Sequence, residues 1–370
     1  MNSQKVLFNY GMEKKIIRER GSVFCNEGAW KALQDILVKQ SPSKVYVLTD
    51  KNTKQHCLPY FFKKYNYANT LHVLSIKAGE TYKNISTCLE LWKQLSATGA
   101  DRKSLLINLG GGVVTDLGGF VASTYQRGIE FINIPTSLLA MVDASVGGKN
   151  GVDLGALKNQ IGVIHNPKAV IVDTHFLETL PQEQLISGLA EMIKHGFIHS
   201  ETYLRKVMAL DLANTSEMAQ LIWESIEIKN QVITEDPKEH GIRKTLNYGH
   251  TLGHAIESYR LKAEDKSSLL HGEAIAVGLI LATYISSQLF GFPNKTLDET
   301  TGYILKTFGK VNFTKAEIDA IIELLIFDKK NSHGKIQFVL LEDIGRHTLN
   351  CEVPNELIYS AFNFYSNFSI

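Results

Sequence analysis

Cysteine is scarce: four residues in 370, Cys25, Cys57, Cys88 and Cys351, far apart and without a CxxC spacing. That excludes a zinc knuckle and offers no disulfide framework, so reduced thiols in a cytoplasmic protein are the simpler expectation. An excess of one charge is also missing. Lys+Arg number 39 against 38 Asp+Glu, a formal net charge of +1, so bulk charge gives no reason to expect nucleic acid or a membrane surface as partner. No segment supplies about 18 uninterrupted apolar residues, and the start MNSQKVLFNYGMEKK lacks a run of signal-peptide length. Secretion and membrane insertion are therefore not expected, and triplets such as Asn84 to Ser86 read as chance matches to a glycan site. Internal repeats and low-complexity stretches are absent as well. What is present, 44% hydrophobic and 21% charged residues, suits a soluble chain long enough for two cores.

The first half alternates β-branched runs with amphipathic text: KVYVLTD (44–50), LHVLSI (71–76), SLLINLGGG (104–112) and FINIPTS (131–137). Such alternation predicts a parallel sheet with crossover helices, an α/β domain of Rossmann-like type. Each run ends in residues suited to hold a ligand: Asp50, Gly79-Glu80, the triple glycine, and Thr136-Ser137. Ligands of open α/β sheets sit beyond the carboxyl ends of the strands, where these ends can converge. After Pro181 the text changes to long helical periods, such as EQLISGLAEMIKHGFI and GEAIAVGLILATYISSQL. The expected division is an α/β domain over 1–181 and a mostly α-helical domain over 182–370, with GKIQFVLLED (334–343) alternating like a late strand.

Gly110-Gly111-Gly112 closes a strand and precedes a helix-like segment, so backbone can approach a pyrophosphate and free amides can meet an anion. The pattern is neither GxGxxG nor a triphosphate loop, and a plain tight turn reads it equally well. Asp116, one turn on, suits a cap or a ligand contact. Glu191, His250, His254 and His271 form a second constellation. His250 and His254 share a helix face, and two imidazoles with one carboxylate are a recurrent catalytic zinc set. Spacing alone leaves open which three of the four bind. Thr251 stands where a metalloprotease of HExxH type needs its glutamate, which disfavours a peptidase. Among the cations, Arg127, Lys149, Lys158, Lys194, Lys229, Arg243 and the pair Lys329-Lys330 include several in apolar or glycine-rich text. A lysine buried there is costly unless an anion meets it, which puts phosphate and carboxylate among the plausible substrate groups.

With these residues in place, the chain closely resembles the 3-dehydroquinate synthase family of the sugar phosphate cyclase superfamily. The blocks that carry the resemblance are GETYK (79–83), GGGVVTDLGGFVASTYQRG (110–128), IPTSLLAMVDASVGGKNGVD (134–153), LKNQIG (157–162), GLAEMIKHG (188–196), IRKTLNYGHTLGHAIE (242–257) and LHGEAIAVG (270–278). The resemblance implies NAD on Asp50, Asn52, Glu80, Lys83, Gly111, Gly112, Val113, Val114, Thr115, Asp116, Thr136, Ser137, Lys149, Lys158, Phe176 and Thr179. It implies Zn2+, or Co2+, on Glu191, His250 and His271, which makes His254 a pocket residue. It implies catalytic roles for Lys149, His254, Arg127, Lys194, Lys229, Arg243 and Asn247. Substrate would be met by Asp143, Lys158, Asn159, Glu239 and Lys329 or Lys330.

The implied reaction is that of a carbon–oxygen lyase of the shikimate pathway. The C5 alcohol of 3-deoxy-D-arabino-heptulosonate 7-phosphate is oxidised by NAD with metal assistance, which acidifies the C6 proton. Phosphate leaves by β-elimination, the ketone is reduced again, and ring opening with an intramolecular aldol step gives 3-dehydroquinate. A small-molecule sugar-acid phosphate is then the partner, and a homodimer is the implied assembly. Three departures neighbour the implied contacts: Thr115 and Leu157 where glycine is common, and Asp153-Leu154 where Asn-His is frequent. Rival readings are a cyclase for sedoheptulose 7-phosphate or glucose 6-phosphate, a metal-dependent alcohol dehydrogenase of related fold, and a binding protein that has lost catalysis.

Overall fold

The computed structural model describes residues 14–67, 71–155, 157–262, 268–325 and 336–369. Strands β1 (Lys15–Ile16), β2 (Ser22–Cys25), β3 (Val45–Asp50), β4 (Leu71–Ile76), β5 (Leu105–Gly110) and β6 (Glu130–Pro135) are followed by a hairpin, β7 (Lys149–Leu154) with β8 (Leu157–Ile164), and then β9 (Ala169–Val172). The main sheet has the order β1-β2-β9-β6-β5-β3-β4, parallel throughout except for the β1–β2 pair. All four strand runs read from the sequence are present. Their uninterrupted apolar text follows from burial on both faces: Val45 and Val47 enter one core layer, Tyr46 and Leu48 the other. The chain order reverses between β3 and β5, so the crevice beyond Asp50 and Gly110 is the switch point where such sheets bind ligands.

Downstream the chain is mostly helical, as expected: Gln182–His199, Glu201–Ala209, Thr215–Glu235, His250–Lys262, His271–Phe290, Asn294–Phe308, Lys315–Leu324 and Asn355–Asn367, with one hairpin of β10 (Phe338–Asp343) and β11 (Arg346–Cys351). Pro181 is the residue before the first of these, a position where its missing amide hydrogen costs nothing. His271–Phe290 is long and apolar enough to cross a membrane by length and composition, yet it is mostly buried. Its apolarity is that of a central core helix, packed on His250–Lys262, Gln182–His199, Asn294–Phe308, Asn355–Asn367 and β10. One apolar layer runs from the sheet, through Ile132 and Ile134, into these helices at Leu189, Ile275 and Phe362.

Two features place the site. The hairpin β7–β8, not foreseen from its Gly-, Lys- and Asn-rich text, lies against the helix Gly112–Thr124. A side chain at Gly119 would meet Asn150 Oδ1 at 2.0 Å, so the contact depends on that glycine. Among the helices, a Cβ at Gly272 would lie 1.9 Å from the Ser187 carbonyl oxygen, and one at Gly278 2.1 Å from that of Gly249. These close approaches bring the start of His271–Phe290 onto Gln182–His199 and the start of His250–Lys262 onto His271–Phe290. Three helices thereby meet at Glu191, His250 and His271.

Candidate active site

A cleft of about 1030 Å³ opens between the helix Gly112–Thr124, the hairpin β7–β8 and the helical half. It brings together Glu80, Lys83, Gly112, Val113, Asp116, Asp143, Lys149, Lys158, Asn159, Lys194, Lys229, Glu239, Arg243, Asn247, His250, His254 and His271. These come from both halves of the chain and from most of the sequence-predicted set. Arg127 is exposed, in a left-handed conformation (φ 71°), and does not line the cleft. Lys329 and Lys330 lie outside the described residues.

At the floor, Glu191 Oε1 is buried and has no hydrogen-bond partner. It lies 3.3 Å from His250 Nε2 and 3.4 Å from His271 Nε2. The far nitrogens are engaged: His250 Nδ1 is 3.1 Å from the Tyr248 carbonyl, and His271 Nδ1 is 3.1 Å from Glu257 Oε2. A carbonyl and a carboxylate can only accept, so each Nδ1 carries the hydrogen and each Nε2 lone pair faces Glu191. Two lone pairs around a buried carboxylate oxygen call for a cation among them, and the donor set suits Zn2+ or Co2+. In the absence of an ion a proton would take that place. Burial pushes the His271 imidazolium down most strongly, but Glu257 and Glu191 together raise its pKa to about 10. His254 is close to both imidazoles, with ring centroids 5.1 Å from His250 and 5.7 Å from His271, and its nitrogens could form a three-histidine set with theirs.

Around the floor, buried lysines are held by the buried carboxylate of Glu191 and the half-buried one of Asp143. Lys194 pairs with Glu191 Oε2 and lies 3.6 Å from Asp143 Oδ1; Lys229 donates to Asp143 Oδ1 and to its main-chain oxygen, both at 2.6 Å. The two lysines are pushed in opposite directions. Burial acts most strongly on both, but Asp143 and Glu191 outweigh it at Lys194, whose pKa is raised. At Lys229 only Asp143 helps, against Lys194 and Arg243, and the pKa is lowered. Nearer the mouth, Lys149 pairs with Glu239, which also accepts from Asn247 at 2.7 Å. Arg243 donates to the Pro237 and Gly147 carbonyls at 2.7 and 2.8 Å.

The sheet side presents a different surface. Gly111 caps the helix Gly112–Thr124 without a side-chain hydrogen bond, leaving first-turn amides open to an anion. At Gly110 a Cβ would strike Val114 at 2.5 Å, so that glycine serves the fold. At Gly112 a Cβ would make only ordinary contacts, 3.5 Å from Ala144 and 3.6 Å from Leu139. Internal packing therefore does not explain Gly112, and a closely approaching ligand does. The arrangement fits a dinucleotide.

Val114 is wholly buried and offers only backbone; Thr115 turns its hydroxyl back to the Gly111 and Gly112 carbonyls at 3.3 and 3.1 Å. Asp116 is no cap: it binds Lys83 at 2.7 Å, and Lys83 reaches Asn159 at 2.6 Å. Lys158 pairs with Glu80. Asp50 caps the short helix Lys51–His56 and Asn52 is exposed. Thr136 is buried, Thr179 donates to the Phe176 carbonyl at 3.4 Å, and Ser137 accepts from the Ala140 amide at 3.3 Å. Phe176 packs on Trp30 and Tyr60. Asp50, Asn52, Thr136, Ser137, Phe176 and Thr179 do not line the described cleft.

One carboxylate escaped the sequence reading, and another entered it only as a departure. Glu257 holds His271 and lies 3.4 Å from Lys158; its signal was available, three residues after His254 and seven after His250 on one helix face. Asp153 accepts from the Asn159 amide at 2.6 Å and faces Lys158 at 3.4 Å. Its side chain thus shapes the hairpin turn, which gives the Asp153 departure a structural role.

Residues 73–187 match the family described as 3-dehydroquinate synthase N-terminal, and residues 188–331 match 3-dehydroquinate synthase C-terminal. A 3-dehydroquinate synthase of Parabacteroides distasonis is 42% identical over 335 residues, 90% of this chain and 94% of that protein. One from Campylobacter jejuni is 40% identical over 344 residues, 90% and 96% of the two chains. Among solved structures, 2-deoxy-scyllo-inosose synthase with carbaglucose-6-phosphate, NAD+ and Co2+ superposes with a TM-score of 0.81 at 26% identity, covering 95% of this chain and 99% of that one. The 2-epi-5-epi-valiolone synthase of Streptomyces hygroscopicus, with NAD+ and Zn2+, shares the fold: TM-score 0.81, 22% identity, 96% and 99% covered.

Proposed function

The chain belongs to the 3-dehydroquinate synthase family, and from that premise we infer how its cleft carries out the family's reaction. The activity is the conversion of 3-deoxy-D-arabino-heptulosonate 7-phosphate to 3-dehydroquinate and phosphate, a lyase reaction with NAD and a divalent metal as cofactors. Greater identity to dehydroquinate synthases than to the other two cyclases favours this substrate over theirs. The observation that carries the assignment of residues is the orphaned Glu191 Oε1 between two imidazoles, at the foot of a lysine-lined cleft.

In this reading Glu191, His250 and His271 hold the metal and His254 stands beside it as a pocket residue. When bound, the metal supplies a Lewis acid for the C5 oxygen and NAD a reversible hydride acceptor. His254 takes the proton from the C5 hydroxyl oxygen. Lys149, Lys194, Lys229, Arg243 and Asn247 orient the phosphate and carboxylate, exchanging their present carboxylate and carbonyl partners for the substrate's anions. Asp143, Glu239, Asn159 and Lys158 meet the hydroxyls, Asp143 and Glu239 being freed for this as Lys194, Lys229 and Lys149 turn to the substrate's anions. The first-turn amides at Gly112 and Val113, with Glu80, Lys83 and Asp116, face the dinucleotide. The roles given to Arg127 and to Lys329 or Lys330 rest on the family resemblance alone.

The division at 1–181 and 182–370, a cytoplasmic location and a homodimer complete the proposal. Four free, buried cysteines are compatible with a reducing compartment, and sedimentation at micromolar concentration checks the dimer. The deciding assay gives the metal- and NAD-loaded enzyme each sugar phosphate and follows phosphate release with nicotinamide absorbance. Release from the heptulosonate phosphate without net NADH supports the reading; turnover of sedoheptulose 7-phosphate alone overturns it.

A further inference from the structure

We propose that Glu257 is a positioning residue that orients His271 from behind and, with its second oxygen, ties that histidine to Lys158 on the hairpin. The carboxylate is nearly buried, at 7% exposure. Its Oε2 lies 3.1 Å from His271 Nδ1 and its Oε1 3.4 Å from Lys158 Nζ. Lys158 in turn pairs with Glu80 and lies 3.4 Å from Asp153 Oδ2. One side chain therefore joins three elements: the helix His250–Lys262 that carries it, the start of His271–Phe290, and β8.

The chemistry follows from what a carboxylate can do. It only accepts, so it requires the hydrogen of His271 on Nδ1 and leaves Nε2 as the donor atom toward Glu191. Its charge offsets the buried ammonium of Lys158, which reaches Glu80 on the dinucleotide side of the cleft. His271 and the hairpin are thus fastened to opposite oxygens of one group. A glutamine has the same shape but only one accepting atom: with its oxygen on His271, its amide hydrogens would face the Lys158 ammonium. Glu257 touches neither metal nor reacting carbon here, and acts through His271 and Lys158.

The inference rests on His271 being a metal ligand, and the test separates the two claims. Full-length protein stripped of divalent ions is titrated with Co2+, read by ligand-field absorption, as wild type, Glu257→Gln, Lys158→Met, the double variant and His271→Ala. Glu257→Gln is expected to lose about 10- to 100-fold in Co2+ affinity, the range for partners of metal-bound histidines, with displaced absorption bands and an unchanged circular dichroism spectrum. The double variant should lose less than the product of the single losses, because both changes break one linkage. If Glu257→Gln does not fold, Glu257→Asp, which keeps the charge but falls short of His271, is expected to show the same loss. Wild-type affinity and bands in the Gln variant, while His271→Ala loses the ion, would discard the proposal and keep the metal set. Undiminished binding by His271→Ala would remove both. A change in the number of ligands on Glu257→Gln would make Glu257 a ligand and also overturn its positioning role.

Discussion

On the sheet side, the cleft offers main-chain amides at a strand end, framed by glycines; on the helical side it offers side chains from several helices, framed by ion pairs. The first wall depends on what is absent at Gly112, the second on groups that must be present and charged. The two should therefore fail differently: a change at the Gly112 turn should cost ligand affinity at little cost in stability, and changes among the helical ion pairs should cost both.

The largest expected effect is Lys194→Met, which leaves the fully buried Glu191 without its ammonium partner. Breaking such a pair costs about 3–5 kcal/mol, measurable by urea unfolding of the metal-free protein. Lys229→Met should cost less, because Asp143 keeps Lys194 within 3.6 Å. Next is Gly272→Ala, where main chain blocks the added methyl; overpacking of about 1–3 kcal/mol should lower the melting temperature and weaken metal binding together. Gly112→Ala is its counterpart on the other wall. Stability there should be unchanged or rise by up to about 1 kcal/mol, while calorimetry finds NAD affinity reduced at least about tenfold, or 1.4 kcal/mol. A matching loss of stability would erase the contrast between the walls.

A pH titration gives a smaller effect. Burial acts most on Glu239 and raises its pKa, but Lys149 and Asn247 outweigh it and hold the carboxyl below the usual range. A depressed carboxyl contributes stability that is present above its ordinary value, about 4.3, and lost as the pH falls through the folded value. In Lys149→Met the Glu239 carboxyl-carbon shift should titrate at higher pH than in wild type. The smallest effect is Thr115→Ala. Its hydroxyl serves its own helix, so NAD affinity should stay within about twofold, under 0.5 kcal/mol.

Legibility in the sequence divides along the same line. The strands β3 to β6 were readable because double-sided burial leaves unbroken apolar runs, and the strand-end glycines marked a turn that suits either a ligand or tight packing. Helices were readable from their periods, and so was the shared face of His250 and His254. Distances between helices were not, because they are set by Gly272 and Gly278 contacts that no local pattern encodes; family resemblance had to choose three donors from four. The hairpin β7–β8 escaped because its lysines, asparagines and glycines lack strand propensity and are held in place by the helix Gly112–Thr124. Asp50, a strand-end carboxylate read as a ligand contact, has in the structure a role the sequence reading did not give it, as cap of the helix Lys51–His56.

Gly272 also bears on how descent can be traced. Its lack of a side chain is demanded by the Ser187 carbonyl whether or not any chemistry takes place, whereas its neighbour His271 faces Glu191 and Glu257 and, in the proposed reading, the metal. In a lineage that abandoned turnover, drift would be free to replace the histidine while the packing still retained the glycine. The glycine without the histidine would therefore testify to the fold alone, and only the pair together to the site built on it.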